Sequence, residues 1–179
     1  MKFQQGKLDG TVIFKPDIFE DSRGCFFESF NENEFSSIIG CSFLSVQDNQ
    51  SYSSFGTLRG IHFQSSPKAQ AKIVRVLDGE IFDVAVDLRK NSKTFGKYYQ
   101  SILSEQNGLS IYIPPGFAHG FCALERENYV IYSCTKYRDK KSEVGIKFND
   151  KKLNIKWPTK KPIISFKDKN NLSLSEFLN

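Results

Sequence analysis

Two runs of alternating residues, joined by Asp78-Gly79, limit the possible folds of this chain more than any other feature. They occupy residues 72–89, with the sequence KIVRVLDGEIFDVAVDLR. β-branched residues in alternation predict strands, and Asp-Gly suits a type I′ turn, so we expect a β-hairpin. In the second strand, positions 81 and 85 share a face with Asp83 and Asp87, and positions 82, 84, 86 and 88 face the other way. Two aspartates beside apolar residues predict a polar interior.

Short runs typical of strands continue along the rest of the chain. Gly, Pro, Asn and Ser lie between them, and only residues 31–39 and 173–178 have helical patterns, the second with Ser173 as N-cap and Glu176 three residues later. Many short strands divided by such turns predict an all-β sandwich or barrel with a few short helices. The further predicted strands are residues 11–14, 24–30, 44–49, 60–64, 98–104, 110–113, 120–124 and 129–137.

The length and composition are those of one globular domain. The chain has 179 residues, 39% hydrophobic and 25% charged, which predicts a single domain over residues 1–179 with a sizeable core. Its longest apolar runs are far shorter than the roughly 20 residues that span a bilayer, which excludes a transmembrane protein. The first ten residues, MKFQQGKLDG, lack the apolar stretch of a secretory signal, so we expect a cytoplasmic protein.

The net charge of +5 favours an anionic partner, which could be nucleic acid, a membrane surface or a phosphorylated small molecule. The distribution of the charge decides among these. The densest basic stretches, residues 136–141 and 156–161, are interrupted by other residues and lack an RNA-binding signature. We therefore expect their lysines to be solvated, and neither nucleic acid nor a membrane to be a partner.

The four cysteines, Cys25, Cys41, Cys122 and Cys134, include no C-x-x-C pair. In a cytoplasmic chain, cysteines without such spacing are usually reduced. We therefore expect buried core thiols rather than disulfides or zinc ligands.

The two histidines, His62 and His119, both lie in glycine-rich surroundings. A lone histidine beside apolar residues is more often a hydrogen-bonded core residue than a catalyst, so spacing alone leaves both interpretations open. Arg59 and Lys72 near His62 favour a functional site. In a regular strand Arg59 would face away from His62, unless Gly60 introduces a bulge.

Seven ordered motifs extend along most of the chain: DSRGCFFE at 21–28, QDN at 47–49, G-x-LRG-x-HFQ at 56–64, G-x-x-x-DVAVD-x-R at 79–89, S-x-TFG at 92–96, IP-x-GFAHGF at 113–121 and WP at 157–158. Together they resemble the dTDP-4-dehydrorhamnose 3,5-epimerase family over about residues 11–168. The resemblance implies a cupin-type antiparallel jelly roll. It also implies a homodimer in which the N-terminal strand region of one protomer contributes to its neighbour's site.

The resemblance further implies an epimerase that removes and returns protons at C3 and C5 of a 4-keto-6-deoxy sugar on a nucleoside diphosphate. The most frequent family reaction converts dTDP-4-dehydro-6-deoxy-D-glucose to dTDP-4-dehydro-L-rhamnose. Both carbons adjoin the C4 ketone, which acidifies them. The reaction needs a base on one face of the sugar, an acid on the other and a cation or donor at the enolate oxygen.

Five residues match the family's catalytic and sugar positions. The resemblance makes His62 the base and Asp168 the carboxylate that orients it. It makes Tyr132 the proton donor, places Lys72 near the C4 oxygen, and places Tyr137 at the border of the sugar, where it can influence whether one or both carbons react. From the residues alone, Tyr132 could be an ordinary strand aromatic and Lys72 a solvated strand lysine.

The positions that match the family's nucleotide and phosphate contacts carry suitable side chains, because arginine and lysine hold phosphates and amides can read base edges. Glu28 and Glu143 could instead be salt-bridge partners of nearby arginines. We expect His119 to be a hydrogen-bond donor in the sugar pocket, oriented by Asp83. The matching positions are Arg23, Glu28, Gln47, Asp48, Asn49, Arg59, Glu143 and Lys167.

Cupins often bind a metal through three histidines and a glutamate, and this chain has only two histidines. We therefore expect neither metal nor cofactor; a metal site would need an untypical set of two histidines with carboxylates. Three other hypotheses stay open. The enzyme could act on a GDP-linked 4-keto hexose or heptose, it could invert C3 alone, or the chain could be a jelly roll that binds nucleotide sugars without catalysis.

Overall fold

Thirteen β-strands and three short helices make up the chain, which a computed structural model describes from residue 1 to residue 179. The helices are α1 (Glu32–Ile39), α2 (Phe166–Lys169) and α3 (Leu174–Leu178). The strands are β1 (Lys2–Gln5), β2 (Val12–Lys15), β3 (Phe19–Asp21), β4 (Gly24–Phe26), β5 (Gln47–Ser54), β6 (Leu58–Gln64), β7 (Lys72–Asp78), β8 (Glu80–Asp87), β9 (Tyr98–Ser104), β10 (Ser110–Ile113), β11 (Phe117–Ala123), β12 (Glu127–Cys134) and β13 (Glu143–Gly145).

Two antiparallel sheets form the body of the fold. The six-stranded sheet has the order β1-β2-β10-β7-β12-β5, and the five-stranded sheet has the order β13-β6-β11-β8-β9. Side chains of both sheets, such as Val74 and Ile111 from one and Ile81 and Phe121 from the other, form the core between them. This arrangement confirms the predicted all-β, antiparallel jelly roll with a few short helices. Strands β3 and β4 form a separate two-stranded sheet.

The predicted hairpin at Asp78-Gly79 is wrong, although both of its strands exist. Strand β7 pairs with β10 and β12 in one sheet, whereas β8 pairs with β9 and β11 in the other. Gly79 has a φ of 83°, and a Cβ there would lie 2.3 Å from the carbonyl oxygen of Glu127. Asp78 lacks the positive φ that a type I′ turn needs, because Asn154 is the only non-glycine residue with a positive φ. The chain therefore crosses between the sheets at Gly79.

The predicted alternation of β8 is confirmed. Ile81 and Ala85 belong to the core between the sheets, whereas residues 82, 84 and 86 pack on the other side, against residues such as Ile146. Asp83 and Asp87 are both fully buried. Each has partners, because His119 bonds to Asp83, and Arg89, Ser92 and Thr94 bond to Asp87.

The helix predictions are confirmed at α1 and α3, and α2 was missed. The Asn31 side chain caps α1, and Ser173 and Glu176 form a capping box at α3. The structure has no helix long and apolar enough to cross a membrane. The predicted strand at residues 44–49 is shifted, because β5 continues to Ser54, and the strands predicted at 24–30 and 129–137 end earlier, at Phe26 and Cys134.

All four cysteines are free. Cys122 and Cys134 are buried, as predicted. Cys25 and Cys41 are exposed, so the prediction of core thiols is wrong for these two. Cys25 lies in β4, whose only strand partner is β3, and that small sheet has no core of its own to bury a thiol.

Candidate active site

A polar cleft lies between the two sheets, where β5, β7 and β12 of the six-stranded sheet approach β6 and β13 of the five-stranded sheet. Six of the fourteen predicted site residues line it, and they come from all five strands. The cleft is lined by Gln47, Asn49, His62, Phe63, Gln64, Gln70, Lys72, Tyr132, Arg138 and Glu143. Residues that are far apart in the sequence, and that the family resemblance made site residues, thus line one cleft.

His62 and Asp168 form a close pair at the cleft. The His62 Nε2 atom lies 2.6 Å from Asp168 Oδ1, and the backbone N–H of Gly60 donates to Asp168 Oδ2 at 3.3 Å. Asp168 is in α2, whose N-cap Ser165 accepts from the Asp168 backbone N–H. The His62 side chain is 27% exposed and that of Asp168 only 6%. The buried carboxylate therefore holds one ring nitrogen while the ring reaches the cleft.

The pKa of Asp168 reflects this environment. Burial acts to raise it, but the hydrogen bond and charge of His62, together with the Gly60 N–H and Ser165, outweigh burial and hold the pKa below its usual value. Asp168 is therefore ionised near neutral pH. An ionised carboxylate stabilises the protonated form of a histidine to which it is bonded.

A bulge at Gly60 orients the residues before His62. Opposite β11, His62 pairs with His119, but Arg59 pairs with Phe121, so β6 has one extra residue. Gly60 has a φ of 119°, and a Cβ there would lie 2.6 Å from the Cα of Gly120. The bulge lets Arg59 reach β5, where its Nε donates to Ser53 Oγ at 3.0 Å.

Lys72 and Tyr132 lie on neighbouring strands of the opposite sheet. The Lys72 Nζ atom lies 5.9 Å from the centroid of the Tyr132 ring and forms no ion pair with any residue of the chain. Burial lowers the pKa of Lys72, and burial raises that of Tyr132. The Tyr132 phenol is therefore protonated at neutral pH, and Lys72 is a buried amine in the cleft that forms no ion pair.

His119 and Asp83 form a second histidine–carboxylate pair, deeper in the fold. His119 Nε2 lies 2.6 Å from Asp83 Oδ2, and both side chains are buried. The pairing conjectured from the sequence is therefore present. The other carboxylate oxygen, Asp83 Oδ1, has no hydrogen-bond partner within the chain.

Glu143 and Lys167 extend the cleft wall through an ion pair. Arg138 bonds to Glu143 at 2.8 Å, and the Lys167 ammonium contacts the other carboxylate oxygen. Burial acts to raise the pKa of Glu143, but the two cations outweigh it and lower the pKa. Glu143 thus has the salt-bridge contacts considered from the sequence, and Lys167 directly precedes Asp168.

The QDN motif divides between two faces of β5. Gln47 Nε2 donates to Asn49 Oδ1 at 2.7 Å, and Asn49 Nδ2 donates to Cys134 Sγ at 3.7 Å. Asp48 points to the other side of the sheet, where Ser45 donates to it and it lines a different cavity. Asp48 is therefore not part of the cleft in this chain.

Three further predicted residues lie at the surface. Arg23 bonds to Asp21 in the exposed β3–β4 hairpin, and Glu28 is exposed after it. Tyr137 is 70% exposed. None of the three lines the cleft within a single chain.

The sequence motifs did not single out four cleft residues as site residues: Phe63, Gln64, Gln70 and Arg138. For Gln64 a signal was available, because it lies two residues after His62 in an alternating strand and so shares its face. Arg138 lies in the basic stretch of residues 136–141, whose lysines the sequence predicts to be solvated. Nothing in the sequence distinguishes its contact with Glu143.

The residues of the chain do not fit the metal centre of other cupins. No group of three or more His, Cys, Asp or Glu side chains lies close enough together to hold a metal ion. Each histidine instead bonds to one carboxylate. The untypical ligand set of two histidines with carboxylates is therefore not assembled.

Comparison with known proteins agrees with the motifs. The sequence profile of the dTDP-4-dehydrorhamnose 3,5-epimerase family matches residues 5–176. The chain belongs to this family. Membership in the epimerase family confirms the resemblance and makes the chain an isomerase, as the motifs predicted.

Similar family members are known in sequence and in structure. A Shigella flexneri dTDP-4-dehydrorhamnose 3,5-epimerase is 47% identical over 164 residues, 92% of this chain and 91% of the relative. The crystal structure of an Elizabethkingia anophelis NUHP1 family member superposes with a TM-score of 0.94 and 45% identity, covering 98% and 97% of the two chains. A Legionella pneumophila dTDP-6-deoxy-D-glucose-3,5-epimerase in complex with dTDP-4-keto-L-rhamnose has a TM-score of 0.93 and 41% identity, covering 97% and 93%.

Proposed function

We propose that this chain converts dTDP-4-dehydro-6-deoxy-D-glucose to dTDP-4-dehydro-L-rhamnose by inverting C3 and C5, without a metal or cofactor. One observation carries the proposal: His62 on one sheet, bonded to Asp168 of α2, shares a cleft with Tyr132 and Lys72 of the other sheet. Family membership and the sugar nucleotide bound to the Legionella relative support the substrate class.

His62 acts as the base. With Nε2–H donated to Asp168, the lone pair of the imidazole is on Nδ1, which takes the proton from the sugar carbon. Asp168 then stabilises the imidazolium that forms. The low pKa of Asp168 supports this role, because a carboxyl that stays ionised does not compete for the proton.

Tyr132 acts as the acid and Lys72 as the cation at the enolate oxygen. Both project from the sheet opposite His62, so a sugar between the sheets has the base on one face and the phenol on the other. That placement suits inversion, in which the proton returns from the side opposite its removal. The unpaired Lys72 ammonium is free to stabilise the charge that develops at O4, a contribution of roughly 3–4 kcal/mol for one such donor.

The nucleotide is held by polar groups around the cleft. Arg59 and Lys167 supply cations for the diphosphate. Gln47, Asn49 and Glu143 border the cleft and fit contacts to the nucleoside or the diphosphate. His119, held by Asp83, supplies a donor to the sugar.

Arg23 and Glu28 complete the site of a partner protomer in a homodimer. The support is that Arg23 lies in the exposed β3–β4 hairpin and Glu28 is exposed just after it, both away from the cleft of their own chain. Phe19 and Phe26, which pair across this hairpin, are 64% and 69% exposed, which fits burial against a second copy. Sedimentation of the purified protein is expected to show a dimer; a 20.5 kDa monomer at micromolar concentration would contradict this proposal.

Solvent exchange tests the function directly. The protein is incubated in D2O with the dTDP-linked 4-keto-6-deoxy sugar and, separately, with the GDP-linked compound. NMR and mass spectrometry then locate the deuterium. We expect deuterium at both C3 and C5 of the dTDP compound, because each carbon loses its proton to His62 and regains one from a group that exchanges with solvent.

Other outcomes identify the alternatives. Deuterium at C3 alone would make the enzyme a 3-epimerase. Labelling of the GDP compound alone would show that the substrate carries GDP instead of dTDP. In both cases the cleft chemistry would stand. Tight binding of either compound without any exchange would overturn the catalytic proposal and leave a binding protein.

A further inference from the structure

Gln64 is a buried amide at the edge of the cleft, and its hydrogen-bonding groups all bind backbone. It ends β6 and is only 4% exposed. Its Nε2 donates to the carbonyl oxygens of Lys68 at 2.8 Å and Tyr137 at 3.2 Å. Its Oε1 accepts from the backbone N–H of Asp139 at 2.6 Å. One side chain therefore fixes the backbone on both sides of Arg138.

Residues 137–139, here called the wall segment, include Arg138 of the cleft lining and contact other cleft residues. The backbone N–H of Arg138 donates to Gln47 Oε1 at 2.9 Å, and its guanidinium pairs with Glu143. The wall segment follows the last residues of β12 and has no strand pairing of its own. Apart from a backbone hydrogen bond from the Ser142 N–H to the Asp139 carbonyl, its position depends on side-chain contacts, of which Gln64 supplies two.

Gln64 connects the wall segment to the base. His62 and Gln64 are two residues apart in β6, so their side chains lie on the same face of one strand. The path from the base to the wall segment thus runs through three strand residues and one side chain. A strand paired on both sides, here with β11 and β13, holds such a spacing closely.

We propose that Gln64 is a positioning residue, which fixes the wall segment relative to His62 and so controls how evenly the base reaches C3 and C5. The inference rests on the proposed function. The two carbons lie on opposite sides of C4, and a single base must reach both. Displacement of one wall of the cleft shifts the sugar ring and changes the two distances unequally, so the two proton transfers respond unequally.

The ratio of deuterium exchange at C5 to exchange at C3 measures this role. Loss of folded enzyme lowers both exchange rates by the same factor and leaves their ratio unchanged. A purely structural contribution of Gln64 would therefore not change the ratio. The ratio therefore depends on the position of the sugar and not on the amount of active protein.

Gln64→Met keeps the length of the side chain and removes all three hydrogen bonds without adding a charge. We expect the exchange ratio to change by about tenfold, because displacements of the order of 1 Å in a reacting pair have effects of this size or larger. In the substrate-free protein, we expect the Asp139 amide to exchange with solvent faster, since its acceptor is gone. If Gln64→Met does not fold, Gln64→Glu, which keeps the acceptor for Asp139, serves in its place.

Asn128 provides a matched control. It is also a fully buried amide bonded to backbone: Nδ2 donates to Ser53 and Glu125 carbonyls, and Oδ1 accepts from the Glu80 N–H. It does not line the cleft. Asn128→Leu is expected to lower the melting temperature and leave the exchange ratio unchanged; if it does not fold, Asn128→Asp retains the acceptor contacts and replaces it.

The outcomes separate this inference from the proposed function. Absence of exchange with the native protein would overturn the proposed function itself. Normal exchange at both carbons in the native protein, with the same ratio in Gln64→Met, would overturn the role of Gln64 alone. An equal change of ratio in the Asn128 variant would also overturn it, because the effect would then be a general response to lost stability.

Discussion

Replacing His62 with alanine is expected to lower kcat by about 100-fold or more, because the variant has no group to take the proton from carbon. Exchange at C3 and at C5 should fall together, since one base serves both. His62 lies outside the three hydrophobic clusters, so the fold should persist. The buried Asp168 carboxylate loses a partner, which should cost about 1–3 kcal/mol of stability. Steady-state kinetics and a melting curve measure these effects.

The double variant His62→Ala/Asp168→Ala provides the control for this prediction. If Asp168 acts only through His62, the double variant should have almost the same remaining activity as His62→Ala alone. A second large loss would give Asp168 an independent role. Near-normal turnover in His62→Ala would overturn the assignment of the base.

Replacing Tyr132 with phenylalanine is expected to lower the rate of inversion by about 100-fold, because only the proton donor is removed. The ring remains, and with it the contact with Lys72, so the fold and the position of the Lys72 side chain should be unchanged. His62 can still remove a proton and return a solvent-derived one to the same face. Deuterium incorporation should therefore decrease much less than product formation, and NMR of the recovered substrate measures the difference.

Tyr129→Phe is the matched control for Tyr132. Tyr129 lies on the same strand, three residues earlier, and its ring packs against Tyr52 rather than lining the cleft. Loss of its hydroxyl should leave inversion within about twofold of normal, as for most surface substitutions. An equal loss in both variants, or unchanged inversion in Tyr132→Phe, would contradict the role of Tyr132 as acid.

The fold class was predictable from local patterns, but strand pairing was not. Alternation of residue types predicts a strand wherever the two faces of that strand meet different surroundings, as the faces of β8 do. The same alternation carries no information about which strands pair with each other. The Asp-Gly turn signal was wrong because β7 and β8 lie in different sheets, where other strands occupy both edges of each. Helix α2 was missed because four residues with one N-cap give too weak a pattern.

The family resemblance singled out His62, Tyr132 and four other residues of the cleft, and a glycine-rich segment also makes His62 stand out locally. The sequence motifs could not show which residues of β5 face the cleft: its polar, edge-strand sequence has no hydrophobic alternation, so Asp48 could not be separated from its neighbours. Gln64 belongs to the G-x-LRG-x-HFQ motif, but the sequence indicates no role for it, because its three partners lie elsewhere in the chain.

The crossing at Gly79 also determines when the protein can fold during synthesis. Strand β7 pairs with residues 110–113 and 127–134, and β8 pairs with residues 98–104 and 117–123. No partner of β7 or β8 precedes it in the chain, and only β9 directly follows the strand with which it pairs. The six-stranded sheet therefore stays incomplete until β12 is made, and the five-stranded sheet until β13 is made. The apolar faces of β7 and β8 thus depend on late pairing with distant segments, the slow and aggregation-prone route of high contact order.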